Sequence, residues 1–251
     1  MSELIRTRFG NDIVAEVAFP SRRSKKGDKV IVLCVGMPTM PGKYSLLEFL
    51  NQKGYTAVYP RYRGTWESKG QFLRESPKED IKYVLERLKK PFLNVFNGKQ
   101  YNLRPCEVIL LGSSFGGPAA LLLSDRDDVD KVVVCSPVVD WRIPSKKEPL
   151  NEFHAVVKDA FGEGFRVKRS DWNKLKRGNF YNPSTSSSDI CGEKVLILHA
   201  KDDEVVAWRP VERFAWKIGA QLILRKRGGH LGTSALMKLM NWKRVHAFLS
   251  S

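Results

Sequence analysis

At 251 residues, 42% hydrophobic and 28% charged, the chain is long enough to bury one full α/β core, and a second domain need not be invoked. No apolar run approaches the length of a membrane span, and the charged opening MSELIRTRFGNDI lacks the apolar segment of a secretory signal, so a cytoplasmic protein is expected. The net charge of +16 is the outlying number. Its clusters, in residues 22–26, 146–147, 168–169, 174–177 and 225–227, fall in separate loops with no nucleic-acid motif beside them. A solvated basic face, capable only of weak anionic contacts, is the expectation. Cys34, Cys106, Cys135 and Cys191 are far apart and form no C-x-x-C pair, which argues for reduced thiols and against a structural zinc.

In chain order, residues 4–21 read as two antiparallel edge strands around Gly10-Asn11-Asp12. The run KVIVLCV, residues 29–35, is a strand covered on both faces. It ends in a loop, Gly36-Met37-Pro38-Thr39-Met40-Pro41-Gly42, before a helix over residues 44–53 that Gly54 stops. A strand at 55–59 leads to Pro60-Arg61-Tyr62-Arg63-Gly64. Ser76-Pro77-Lys78-Glu79 then opens a helix with its apolar stripe at Ile81, Val84, Leu85 and Leu88.

After a loop over 91–105 comes EVILLGSSFGG, residues 107–117, followed by the helix formers Ala119 to Leu123. Strand, tight turn and helix give G-x-S-x-G a mechanical meaning. The serine sits on a strained turn and the flanking glycines let neighbouring backbone approach. Ser114 is thereby a candidate nucleophile, although Gly112, Gly116 and Gly117 also suit plain helix–strand packing. A strand at 129–134 runs into Ser136-Pro137. Residues 140–189, rich in Pro, Lys, Arg, Ser and aromatics, are longer than a connection needs and predict a small helical cap, with helices near 151–161 and 171–177. Strands at 194–199 and 221–224, and helices at 209–218 and 234–249, complete a mostly parallel sheet with helices on both faces.

Chemistry in such sheets gathers at the carboxyl ends of strands. Ser114 follows one strand, Asp202 and Asp203 follow KVLILHA, and His230 follows QLILRKR behind two glycines. The order Ser, Asp, His is the one the motif predicts. His230 is the candidate base. His199 ends an apolar strand and reads as structural, His154 lies in the cap and His246 on the last helix. The backbone N–H groups of Phe115 and Met37 are the candidate oxyanion donors, since Pro38 has none to offer. Trp141, Phe153, Phe161, Phe165 and Trp172 are candidates for an apolar pocket under the cap.

These motifs resemble the α/β-hydrolase superfamily over nearly the whole chain. The block His199-Ala200-Lys201-Asp202-Asp203-Glu204-Val205-Val206 is similar to its H-G-x-x-D-x-x-V stretch, an alignment that implies Asp203 as the acid. Gly36-Met37-Pro38 resembles the H-G-x-P oxyanion loop, and Gly54-Tyr55 with Pro60 to Gly64 resembles G-Y-x-V-x-x-P-D-x-R-G. Val35 and Arg61 depart from that pattern, standing where His and Asp are usual. The resemblance implies an α/β-hydrolase fold and a serine hydrolase acting on a small carboxylic ester or thioester, with neither metal nor organic cofactor. Ser136-Pro137-Val138-Val139-Asp140-Trp141 is reminiscent of the prolyl-oligopeptidase-like branch, so a small aminopeptidase or dipeptidase is an alternative. That branch's peptidases carry a large extra domain for which these residues leave no room. A non-catalytic binding protein of the same fold is the third reading, prompted by Val35 and Arg61.

Overall fold

The computed structural model describes residues 3–251. Its frame is an eight-stranded sheet in the order β1-β2-β4-β3-β7-β8-β9-β10. Here β1 is Glu3–Phe9, β2 Ile13–Phe19, β3 Asp28–Cys34 and β4 Thr56–Pro60. On the other side of β3 come β7 (Pro105–Ser113), β8 (Lys131–Cys135), β9 (Val195–Ala200) and β10 (Gln221–Arg225). The first two strands are an antiparallel pair joined antiparallel to β4, and from β4 to β10 every neighbour is parallel. The apolar runs read from the sequence are this interior: all of Val30 to Cys34 and Val132 to Cys135 are buried.

Connections then fix the faces. Helix α1 (Tyr44–Gln52) carries the chain from β3 outward to β4. Helices α2 (Pro77–Leu88), α3 (Gly117–Leu121) and α6 (Trp208–Ile218) serve connections running the opposite way. Right-handed crossovers therefore put α1 on one face and α2, α3 and α6 on the other. The last helix, α7 (Leu239–Leu249), joins α1, with Phe49 packed edge-on against Trp242 at 5.1 Å. Between β3 and β7 the winding direction reverses, which opens a crevice at their carboxyl ends.

Three local expectations change. The 91–105 loop holds a small hairpin, β5 (Phe92–Leu93) with β6 (Gln100–Tyr101). The expected helix at 234–249 is a 3₁₀ turn (Thr233–Met237) and α7, separated by Lys238 in extended conformation (φ −72°, ψ 126°). Asn241 donates to the Ala235 carbonyl at 2.6 Å across that break and satisfies a group a continuous helix would have bonded. In the cap region, α4 (Leu150–Phe161) is a full helix, whereas α5 (Arg169–Trp172) is a single turn that continues as 3₁₀ to Arg177. Among the described residues no helix is long and apolar enough to cross a membrane.

Candidate active site

The reversal point is where the Gly-Ser turn lies. Cys34 of β3 is opposite Gly112 of β7, so the chain leaving β3 and the turn leaving β7 run side by side. Ser114 has φ +48°, a left-handed conformation that costs a residue with a Cβ about 1–2 kcal/mol. The turn can close because a Cβ is absent beside it. An atom added at Gly116 would meet the Cys34 carbonyl oxygen at 2.0 Å, and one at Gly36 would lie 3.2 Å from Ser114 Cβ. Strand end, turn and the loop after β3 are thus closely packed.

Tyr181 holds the turn from the cap side. Its buried hydroxyl donates to the Phe115 carbonyl at 2.7 Å and accepts the Ala119 N–H at 3.2 Å. Burial pushes that phenol well above its usual pKa, so it keeps its proton. Phe115 itself is enclosed by Tyr62, Phe72, Trp141 and Tyr181. The backbone N–H groups of Met37 and Phe115 make no hydrogen bond within the described residues.

The two rival aspartates have separate partners. Asp203 approaches Nδ1 of His230 with Oδ2 at 2.9 Å and Oδ1 at 3.1 Å. Its Oδ1 also accepts the Val205 and Val206 N–H groups, each at 2.9 Å. Burial opposes ionisation of Asp203. The hydrogen bonds from His230 and Val206, the nearby His230 and the Ser136 hydroxyl outweigh it and hold the carboxyl below its ordinary pKa. Asp202 instead accepts the Gly228 and Gly229 N–H groups at 3.2 and 2.9 Å, closing the turn that presents His230.

Ser136, at the end of β8, has φ +43° and is fully buried. Its hydroxyl accepts the Leu231 N–H at 3.0 Å, tying the end of β8 to the chain after β10. His199 is also buried. Its Nε2 lies 3.0 Å from the Val206 carbonyl, which can only accept, so Nε2 carries the proton. Burial lowers the His199 pKa and keeps the ring neutral, against the attraction of Asp203.

Ser114 opens into a cavity of about 280 Å³ lined by Met37, Phe115, Val139, Trp141, Leu150 and Phe153, among others. Glu148, which the sequence reading passed over, lies in the same lining, and burial raises its pKa. The Ser114 hydroxyl and His230 are not hydrogen-bonded among the described residues. Their loops are stitched by Val138 N–H to the Ser114 carbonyl at 3.1 Å and by Leu231 N–H to Ser136. Of the five aromatic candidates for the pocket, Trp141 and Phe153 line it, and three do not. Phe161 and Phe165 pack on Trp66, because residues 165–167 bridge to Thr65 and Phe72 and turn those rings toward that loop. Trp172 is fully buried against Phe153 and His154, its indole N–H donating to the Leu150 carbonyl at 2.7 Å.

The two departures from the family pattern lie outside this cavity. The Arg61 guanidinium is buried over the Tyr59 ring, 2.9 Å from Glu16 on β2 and 2.9 Å from Glu67. Val35 contributes its carbonyl, which accepts the Tyr62 hydroxyl at 3.3 Å. No three His, Cys, Asp or Glu side chains among the described residues converge as a metal site requires.

No protein-family model matches the chain, and comparison with curated proteins gives no significant match. Solved structures do resemble it. An esterase of Pyrococcus furiosus superposes with a TM-score of 0.70 at 15% identity, over 100% of this chain and 91% of that one. An esterase of Butyrivibrio proteoclasticus with ferulic acid bound gives 0.66 at 15% identity, over 96% and 98%. Mouse alpha/beta hydrolase domain-containing protein 10 gives 0.60 at 18%, over 99% and 97%. The protein therefore has the α/β-hydrolase fold, as its motifs imply.

Proposed function

We propose that the protein is a serine hydrolase that cleaves a small carboxylic ester or thioester through an acyl-enzyme. The observation that carries this reading is the His230–Asp203 contact at 2.9 Å, made at the same sheet end that exposes Ser114 in a left-handed turn. With Nδ1 committed to Asp203, Nε2 is the nitrogen left to act as base.

In the proposed reaction Ser114 Oγ attacks the acyl carbonyl as His230 Nε2 takes the hydroxyl proton. The Met37 and Phe115 N–H groups receive the resulting oxyanion. Collapse breaks the acyl–oxygen or acyl–sulfur bond, and the leaving group departs with the proton from His230. Water then attacks the acyl-serine as His230 takes its proton, and as the acyl–Oγ bond breaks His230 returns that proton to Ser114 Oγ, releasing the acid. Asp203 stays ionised throughout, since its pKa is held low, and so stabilises the imidazolium. A free enzyme need not already hold its serine hydrogen-bonded to the base, because such contacts tighten when substrate excludes water. Trp141, Leu150 and Phe153 supply an apolar wall for the acyl or alcohol group, and residues 140–189 act as its cap.

Substrate class is the open term of this proposal, because a fold does not determine it. A panel of p-nitrophenyl esters, thioesters, lactones and amino-acid amides decides it, run on wild type beside Ser114→Ala. Turnover of esters or thioesters that the variant loses is the expected result. Preferential turnover of amides would move the reading to a peptidase, and no turnover at all would leave a binding protein.

A further inference from the structure

The basic residues that look scattered in the sequence become organised once the chain is folded. After Glu212 the chain holds no acidic residue to its last position, Ser251, while it carries Arg213, Lys217, Arg225, Lys226, Arg227, Lys238, Lys243 and Arg244. Residues 35–52, the loop after β3 and α1, contain Glu48 as their one carboxylate beside Lys43. The fold joins these two acid-poor segments. Phe49 of α1 packs on Trp242 of α7, and the 3₁₀ turn before α7 packs on α1. Helix α1 follows the loop that leaves the carboxyl end of β3, while Trp242 of α7 also packs on Tyr55, just before β4.

These segments also expose apolar side chains. Leu239 and Met240, one turn before Trp242, are each 68% exposed. Tyr44, at the start of α1, is 56% exposed and Met40, in the oxyanion loop, 64%. Gly42 folds that loop against the Tyr44 ring. Met237 adds a further exposed side chain. A single exposed apolar residue means little, but several large ones interleaved with Lys43, Lys238, Lys243 and Arg244 are the composition of an interfacial surface.

We propose that this face docks on an anionic lipid surface. The methionine, leucine and tyrosine side chains enter the headgroup boundary, and the lysines and arginine contact lipid phosphates and carboxylates. Charge decides the occupant. A second copy of this chain would set like-charged surfaces together, and a zwitterionic bilayer would leave the basic residues without anionic partners. The docking does not depend on the hydrolase reading, since it concerns residues outside the cavity.

Sedimentation with phosphatidylcholine vesicles, with and without phosphatidylserine, tests it at low and high salt. The wild type is expected to bind phosphatidylserine-containing vesicles at least about tenfold more tightly, and to lose that preference at high salt. Leu239→Ser with Met240→Ser is expected to weaken binding about tenfold, and Lys238→Gln with Lys243→Gln to abolish the anionic preference. Each variant should keep the wild-type urea midpoint and its rate on a soluble short-chain ester. Tyr44→Ser, at the exposed start of α1, serves as a second apolar variant if the α7 pair fails to fold. Absence of vesicle binding, or binding indifferent to these substitutions, overturns the proposal. So does a concentration-dependent dimer that Leu239→Ser with Met240→Ser dissolves, which would make the face a contact between copies. Turnover of soluble ester without vesicle binding would remove this inference and leave the hydrolase reading standing.

Discussion

His230 Nδ1 lies almost astride the Asp203 carboxylate, 2.9 Å from one oxygen and 3.1 Å from the other. One imidazole N–H is thus fixed, and with it the tautomer. Asp203→Asn keeps the shape but can offer its amide N–H to the ring and select the wrong tautomer. A fall in kcat of about 10⁴ with little change in KM is expected, measured on the best ester from the panel. Asp202→Asn, which retains an oxygen for the Gly228 and Gly229 N–H groups, should cost far less.

Acid should loosen the same pair. The folded Asp203 carboxyl binds its proton less tightly than the unfolded one at 3.8, so the unfolded state takes up protons first as pH falls. Its contribution to stability is complete above about pH 5 and disappears as pH drops through the folded value. Urea midpoints of wild type and Asp203→Asn, compared from neutral pH downward, should converge below about pH 4. A gap that stays constant with pH would contradict the low carboxyl pKa.

Tyr181→Phe removes one oxygen and leaves two buried backbone groups, the Phe115 carbonyl and the Ala119 N–H, without partners. The expected loss is about 1–3 kcal/mol by urea unfolding. Because Phe115 also carries a proposed oxyanion donor, kcat should fall along with stability while KM changes little.

Gly116→Ala separates steric need from backbone freedom. Gly116 has φ −78°, which any residue adopts, yet its added Cβ would sit 2.0 Å from the Cys34 oxygen and 2.4 Å from that of Val35. Separating β3 from the turn should cost about 1–3 kcal/mol or more, read as a lowered thermal midpoint. An unchanged midpoint would mean that the two strand ends are not in contact.

The strands and the proximity of Asp203 to His230 were legible because they rest on local signals. Apolar runs of β length, a Gly-Ser turn and a histidine behind two glycines need no knowledge of the rest of the chain. Preferring Asp203 to Asp202 needed a register borrowed from a family; in the structure Asp203 meets His230 and Asp202 closes the turn. What stayed hidden depends on distant contacts. Tyr181 acts on Phe115 from 66 positions away, and Ser136 meets Leu231 across 95. Neither has a periodic signal, although Ser136 also ends a strand just before a Pro, much as Ser114 ends one before its glycines. The cap aromatics were misassigned for a related reason. Composition does not say what Phe161, Phe165 and Trp172 pack against: the first two meet Trp66 beside the bridges at Thr65 and Phe72, and Trp172 meets Phe153 and His154.

Ser114 is the nucleophile of the proposed mechanism, and a fluorophosphonate probe reads that directly. Wild type should be labelled covalently at one site, mapped by peptide mass to Ser114, and lose its ester turnover in proportion to the label. Ser114→Ala should take up no label. Labelling of that variant at the wild-type rate would place the reactive group elsewhere and contradict the proposed mechanism.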